Sequence, residues 1–148
     1  MRGRRSFARL APRHEVRVTL RQPLASYAAL GLFHPGNAYG GIELRAPDAL
    51  RPVLAAFGPE AVINAVGIVK QRPDAEEAIA NLEINALLPH RLALLCRPIG
   101  ARLVHVSSDC VFSGRKGNYA EADPPDADDL YGRTKVHELA RQMTRGGA

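Results

Sequence analysis

The chain has 148 residues, enough for one domain with its own core. Hydrophobic residues make up 46%, an ordinary share for a globular protein, and no apolar run approaches the roughly 20 residues that cross a bilayer. The net charge is +5, with seven arginines against one acid, Glu15, in the first 21 residues; without aromatic interleaving or a nucleic-acid motif, this reads as a solvated helix face and not a nucleic-acid patch.

Short apolar runs alternate with helical stretches, the pattern of βαβ units and a parallel sheet. Residues 2–12 read as a helix with Phe7, Leu10 and Ala11 on one face; no signal-peptide core follows the basic start. Val16–Leu20 is a β-branched strand. Pro23–Leu30 is a short helix opened by proline and closed by Gly31. Residues 38–44 are a weak strand, and Pro47–Phe57 is a helix closed by Gly58. Ala61–Val66 reads as the clearest buried strand. A long helix from about Pro73 to Cys96 follows, with Pro89 expected to kink it. Arg102–Ser107 is a second buried strand, residues 113–130 are loop, and Tyr131 to about Met143 is the last helix.

Cys96 and Cys110 have no zinc or redox spacing and read as a reduced, cytoplasmic pair. His14, His34, His90, His105 and His137 are too scattered for a metal site. Ser113-Gly114 is not a hydrolase elbow.

The chemistry-bearing signal is Tyr131-Gly132-Arg133-Thr134-Lys135. Residues four apart share a helix face, and an ammonium one turn from a phenol favours proton exchange with a carbonyl oxygen. Upstream, the apolar strand from Val104 runs into Ser107-Ser108-Asp109-Cys110-Val111-Phe112. Ligands in open α/β sheets bind beyond the carboxyl ends of strands, where a hydroxyl can donate to a substrate carbonyl. Asn64-Ala65-Val66-Gly67 ends another strand in a position to bring backbone close to a cofactor. Asn85 interrupts the apolar stripe Leu82, Ala86, Pro89, Leu92, Cys96, where a buried amide needs partners.

In this order and spacing the motifs resemble the extended short-chain dehydrogenase/reductase family. From Val62 to about Leu139 they resemble its dTDP-4-dehydrorhamnose reductase branch, through Ser108-Asp109-Cys110-Val111-Phe112 and the loop Gly117 to Pro125. The resemblance implies a Rossmann-like, doubly wound parallel sheet over residues 1–148 and an NADP- or NAD-dependent oxidoreductase acting on a nucleotide sugar. It implies Tyr131 as proton donor, Lys135 as its activator and ribose ligand, Ser108 as carbonyl polariser and Asn85 as the family's helix asparagine. It places Asp109, Val111 and Phe112 with Ser108 near the substrate. Cofactor contacts fall to Arg21, Glu43, Leu44, Asn64, Ala65, Val66 and Gly67, with Arg21 leaning towards the NADP 2′-phosphate.

Two departures stand out. No G-x-x-G-x-x-G or G-x-G-x-x-G turn occurs, and the chain stops soon after Lys135. These imply a domain lacking the first strand and the substrate lobe, and a truncated, inactive form. In a sheet ordered 3-2-1-4-5 the absent strand is central, so its neighbours either stay unpaired or slide together. A nucleotide-sugar epimerase or dehydratase of the same family, or a non-catalytic regulatory homologue, is the alternative.

Overall fold

The structure, a computed structural model, describes residues 2–68 and 77–139. Its elements in chain order are α1 (Arg2–Leu10), β1 (Val18–Thr19), a 3-10 helix (Leu24–Leu30), β2 (Ala38–Tyr39), a 3-10 turn (Pro47–Ala49) leading into α2 (Leu50–Phe57), and β3 (Ala61–Asn64). There follow α3 (Ala78–Asn81), a π turn (Leu82–Leu87), α4 (Leu88–Cys96), a 3-10 turn (Arg97–Ile99), β4 (Arg102–His105), a 3-10 turn (Asp109–Val111) and α5 (Leu130–Leu139). Helix α3, the π turn and α4 run on without a break, as the long apolar stripe predicts. The start of that predicted helix lies outside the described residues, as does the predicted end of the last one.

Among the described residues all strand pairing is parallel, and the four strands form two pairs and not one sheet. β1 pairs with β2 in the register Val18↔Ala38, and β3 pairs with β4 from Ala61↔Arg102 to Asn64↔His105. Of the two outcomes expected for the sheet, the pairs stay apart. Alternate residues of a strand in a parallel ladder bond to opposite sides. Val18 N–H donates to the Asn37 carbonyl and Leu20 N–H to the Tyr39 carbonyl, so Thr19 turns its backbone groups to the far edge. On β3, Glu60 and Asn64 carbonyls accept from Arg102 and Val106, which turns Ala61 and Ile63 away from β4.

One helical layer holds both pairs. Leu50 and Leu54 of α2 cluster with Ala80, Ile84, Leu88, Leu92 and Leu95 of the long helix and with Ile68. Ile42 and Leu44, beyond β2, pack on that cluster beside Val62 of β3 and Leu103 of β4. Burying one such side chain contributes roughly 1.5–3 kcal/mol. In α1, Phe7 is buried, with its ring centroid 5.5 Å from that of Phe33.

One reading from the sequence needs correction. The strands at 61–66 and 102–107 are buried on one face only: Val62 and Leu103 point into the core, while Ile63 and Val104 stay 43% and 42% exposed. The reason is that the described residues stack a helical layer on only one side of this pair. At Pro89, the second residue of α4, the continuous helix departs from α-geometry through the π turn just before it.

Candidate active site

Three segments meet beyond the carboxyl ends of β3 and β4. The first is the turn after β4. Ser108 Oγ accepts from Cys110 N–H at 3.2 Å and donates to Asp109 Oδ1 at 3.3 Å, so the hydroxyl is tied to its own turn. Val111 is buried, and its carbonyl accepts from Asp126 and Ala127 N–H. Phe112 stacks on Tyr119 with ring centroids 4.5 Å apart.

The second segment is α5. Asp129 caps it, Oδ1 accepting from Gly132 N–H at 2.8 Å, a use of aspartate that fixes where the helix starts. Tyr131 then lies in the first turn, half-buried, and Lys135 one turn on is buried at 3% exposure. The helix comes in against the Ser108 turn because residue 132 is glycine: a Cβ there would overlap the Cys110 carbonyl and lie 2.5 Å from Ala127 Cβ. The sequence reading took Gly132 as part of a motif and did not see it as the contact point between the two segments.

The third segment is the π turn facing the chain after β3. Asn85 is fully buried. Its Oδ1 accepts from Ile68 N–H at 3.0 Å, and its Nδ2 donates to the Ile68 carbonyl at 3.1 Å and to Asn81 Oδ1 at 3.0 Å. Asn81, also fully buried, donates to the Glu77 carbonyl. A Cβ on Gly67 would sit 3.3 Å from Asn85 Oδ1 and 3.7 Å from Lys135 Nζ, so backbone, amide and ammonium converge there. Asn64 Oδ1 accepts from Val66 N–H and holds the turn open, while its buried Nδ2 has no partner among the described residues. Asn81 escaped the sequence reading; its spacing of four from Asn85 was the available signal.

Beside this convergence lies a cleft of about 170 Å³. Thr19 and Arg21 from the end of β1, Ile42, Glu43, Leu44 and Arg45 from beyond β2, Val66, Gly67 and Ile68 from beyond β3, and Ile84 of the π turn line it. Five of the residues expected at a cofactor thus meet in one place. Asn64 and Ala65 do not line the cleft; Ala65 Cβ lies 3.9 Å from where a Cβ on Gly3 of α1 would be. Arg21 Nε and Glu43 Oε2 are 3.5 Å apart, a pairing that residues 22 apart in sequence did not suggest.

The family model for the RmlD substrate binding domain matches residues 14–140. The chain belongs to this family. Among curated proteins it is 34% identical over 99 residues to the methionine adenosyltransferase 2 subunit beta of Danio rerio, covering 66% of this chain and 29% of that protein. It is 34% identical over 98 residues to the dTDP-4-dehydrorhamnose reductase of Streptomyces griseus, covering 65% of this chain and 32% of the relative. The chain therefore spans about a third of the curated relatives it matches. Among solved structures, the Bacillus anthracis dTDP-4-dehydrorhamnose reductase in complex with NADP superposes with a TM-score of 0.62 at 21% identity, over 84% of this chain and 48% of that one. Membership in the RmlD family and this superposition make the two parallel pairs parts of a Rossmann-like fold. The family match also takes in every expected site residue from Arg21 to Lys135.

Proposed function

We propose that the chain carries the catalytic segment of an NAD(P)-dependent oxidoreductase of the short-chain dehydrogenase type, reducing the 4-keto group of a nucleotide-linked deoxysugar. The observation that carries this reading is the close approach of α5 to the Ser108 turn at Gly132, which sets a hydroxyl segment against the Tyr131-Lys135 helix.

The residues present suit a nicotinamide dinucleotide in part. The cleft offers apolar walls (Ile42, Leu44, Val66, Ile68) and a charged rim (Arg21, Glu43), which fits an adenosine half. Lys135, buried near Gly67, is the residue that would hold a ribose hydroxyl. When bound, the cofactor supplies a hydride to the substrate carbonyl carbon. Tyr131 donates its phenolic proton to the carbonyl oxygen, the Lys135 ammonium one helical turn on stabilises the phenolate left behind, and Ser108 Oγ, its hydroxyl turned from Asp109 to the substrate, hydrogen-bonds the same oxygen. Asn85 fixes the 67–68 backbone that lines both cleft and lysine. Asp109 and Phe112 flank the substrate side, with Val111 as their buried anchor. Arg21 favours NADP over NAD.

The sequence holds no Gly-rich pyrophosphate turn, so turnover by these 148 residues alone is expected to be negligible. A second reading, a regulatory or binding homologue, draws on the likeness to the methionine adenosyltransferase 2 subunit beta. A cytoplasmic location accompanies either reading.

The test is NADPH binding followed by nicotinamide fluorescence. Saturable binding that is lost in Lys135→Ala is expected. No binding by the natural chain would overturn the cofactor reading. If turnover with a 4-keto nucleotide sugar is detectable, Tyr131→Phe is expected to lower it by roughly 10²-fold or more; an unchanged rate would remove Tyr131 from the reaction.

A further inference from the structure

The cleft places a carboxylate where an arginine alone would favour a phosphorylated ribose. Arg21 and Glu43 sit on adjacent segments whose backbones are locked together beyond the strands: Ile42 N–H donates to the Leu20 carbonyl at 2.9 Å and Gly41 N–H to the Gln22 carbonyl at 3.0 Å. Their side chains pair at 3.5 Å while remaining 63% and 49% exposed. Glu43 is also held from behind, its Oε1 accepting from Arg45 N–H at 3.1 Å. The carboxylate is thus fixed beside Arg21 by backbone. Arg45 does not neutralise it in turn, because its guanidinium pairs with Glu83 at 3.7 Å.

We propose that Glu43 is a specificity-determining residue that restrains the preference of this cleft for a 2′-phosphorylated adenosine. This rests on the cofactor reading given above. A 2′-phosphate reaching Arg21 displaces a carboxylate already paired with it and then stands beside that negative charge. An unphosphorylated ribose meets no such repulsion, and its hydroxyls can donate to the same carboxylate. An exposed ion pair is weak enough to be broken by a ligand, so the effect is a graded shift and not an all-or-none choice.

The test uses adenosine 2′,5′-bisphosphate and 5′-AMP, which share the adenosine and need no pyrophosphate turn, titrated into the 148-residue chain by NMR or calorimetry. Glu43→Gln keeps an oxygen to accept from Arg45 N–H and removes the charge. It is expected to tighten the bisphosphate relative to 5′-AMP by about tenfold or more at low salt, 5′-AMP itself weakening as its ribose hydroxyls lose the carboxylate acceptor, and to lose most of this gain at high salt. Adding Arg21→Ala to Glu43→Gln is expected to abolish the gain, with thermal melts checking that both variants fold. If Glu43→Gln leaves the ratio of the two affinities unchanged while both ligands bind the natural chain, the role of Glu43 is overturned and the cofactor reading stands. If neither ligand binds the natural chain, both fall together.

Discussion

A methyl group at position 132 has no room, because the Cys110 carbonyl and Ala127 occupy the space. Gly132→Ala is expected to cost about 1–3 kcal/mol by overpacking, read from chemical denaturation, and to weaken any binding that needs Tyr131 and Ser108 together. Gly3→Ala is the contrasting case: its nearest outside neighbour is 3.9 Å away and it lies in α1. That change is expected to be neutral or to stabilise by up to about 1 kcal/mol, since alanine is the better helix former. At the third segment, Asn81→Leu removes the acceptor for Asn85 Nδ2, which keeps only the Ile68 carbonyl. A loss of about 1–3 kcal/mol is expected, with faster hydrogen exchange at the Ile68 amide; an Ile68 amide as protected as before would mean that Asn81 does not help to orient Asn85.

Among the elements, the loop between the Asp109–Val111 turn and α5 is built on two carboxylates. Asp126 accepts from Ser113 Oγ and Ser113 N–H, each at 2.7 Å, and from Tyr119 OH at 2.9 Å. Asp123 accepts from Lys116 Nζ at 2.5 Å and from Ala120 N–H at 2.7 Å. Hydrogen bonds from Ser113 hold the Asp126 carboxyl below its ordinary value, and the Lys116 ammonium does the same for Asp123. A carboxyl with a depressed folded value stabilises fully above the unfolded value of about 3.9 and stops doing so as pH falls through the folded one. The loop is therefore expected to keep its order from neutral pH down to about 4 and to loosen below that. Amide exchange at Ser113 and Ala120, corrected for intrinsic rates, reads this directly. Asp126→Asn should loosen Ser113 already at neutral pH, and protection unchanged in that variant would show that the carboxylate is not what orders the loop.

For the whole molecule, the parallel pairs meet through the helical layer and not through a ladder. Backbone groups at Thr19, Ala61 and Ile63 face away from their partner strands, and the exposed sides of Ile63 and Val104 lie on the face opposite the core. Such an arrangement protects amides unevenly. Val18 and Leu20 are expected to exchange slowly, and Thr19 and Ile63 quickly, in native-state hydrogen exchange. Equal protection along both strands would mean that their far edges are paired in solution.

The sequence by itself determined the parallel α/β class, the order of the elements and the Tyr131-Lys135 and Ser108 segments. Strand, cap and helix-face patterns are local, and the motifs are contiguous. Contacts between distant segments were decided only by the tertiary structure. The Arg21–Glu43 pair, the Asn81–Asn85–Ile68 clamp and the fit of Gly132 against Cys110 depend on how helices and strands pack. One-sided burial of Ile63 and Val104 has the same origin: an apolar run specifies a strand that can be covered on both faces, and only the arrangement of layers decides how many faces are covered.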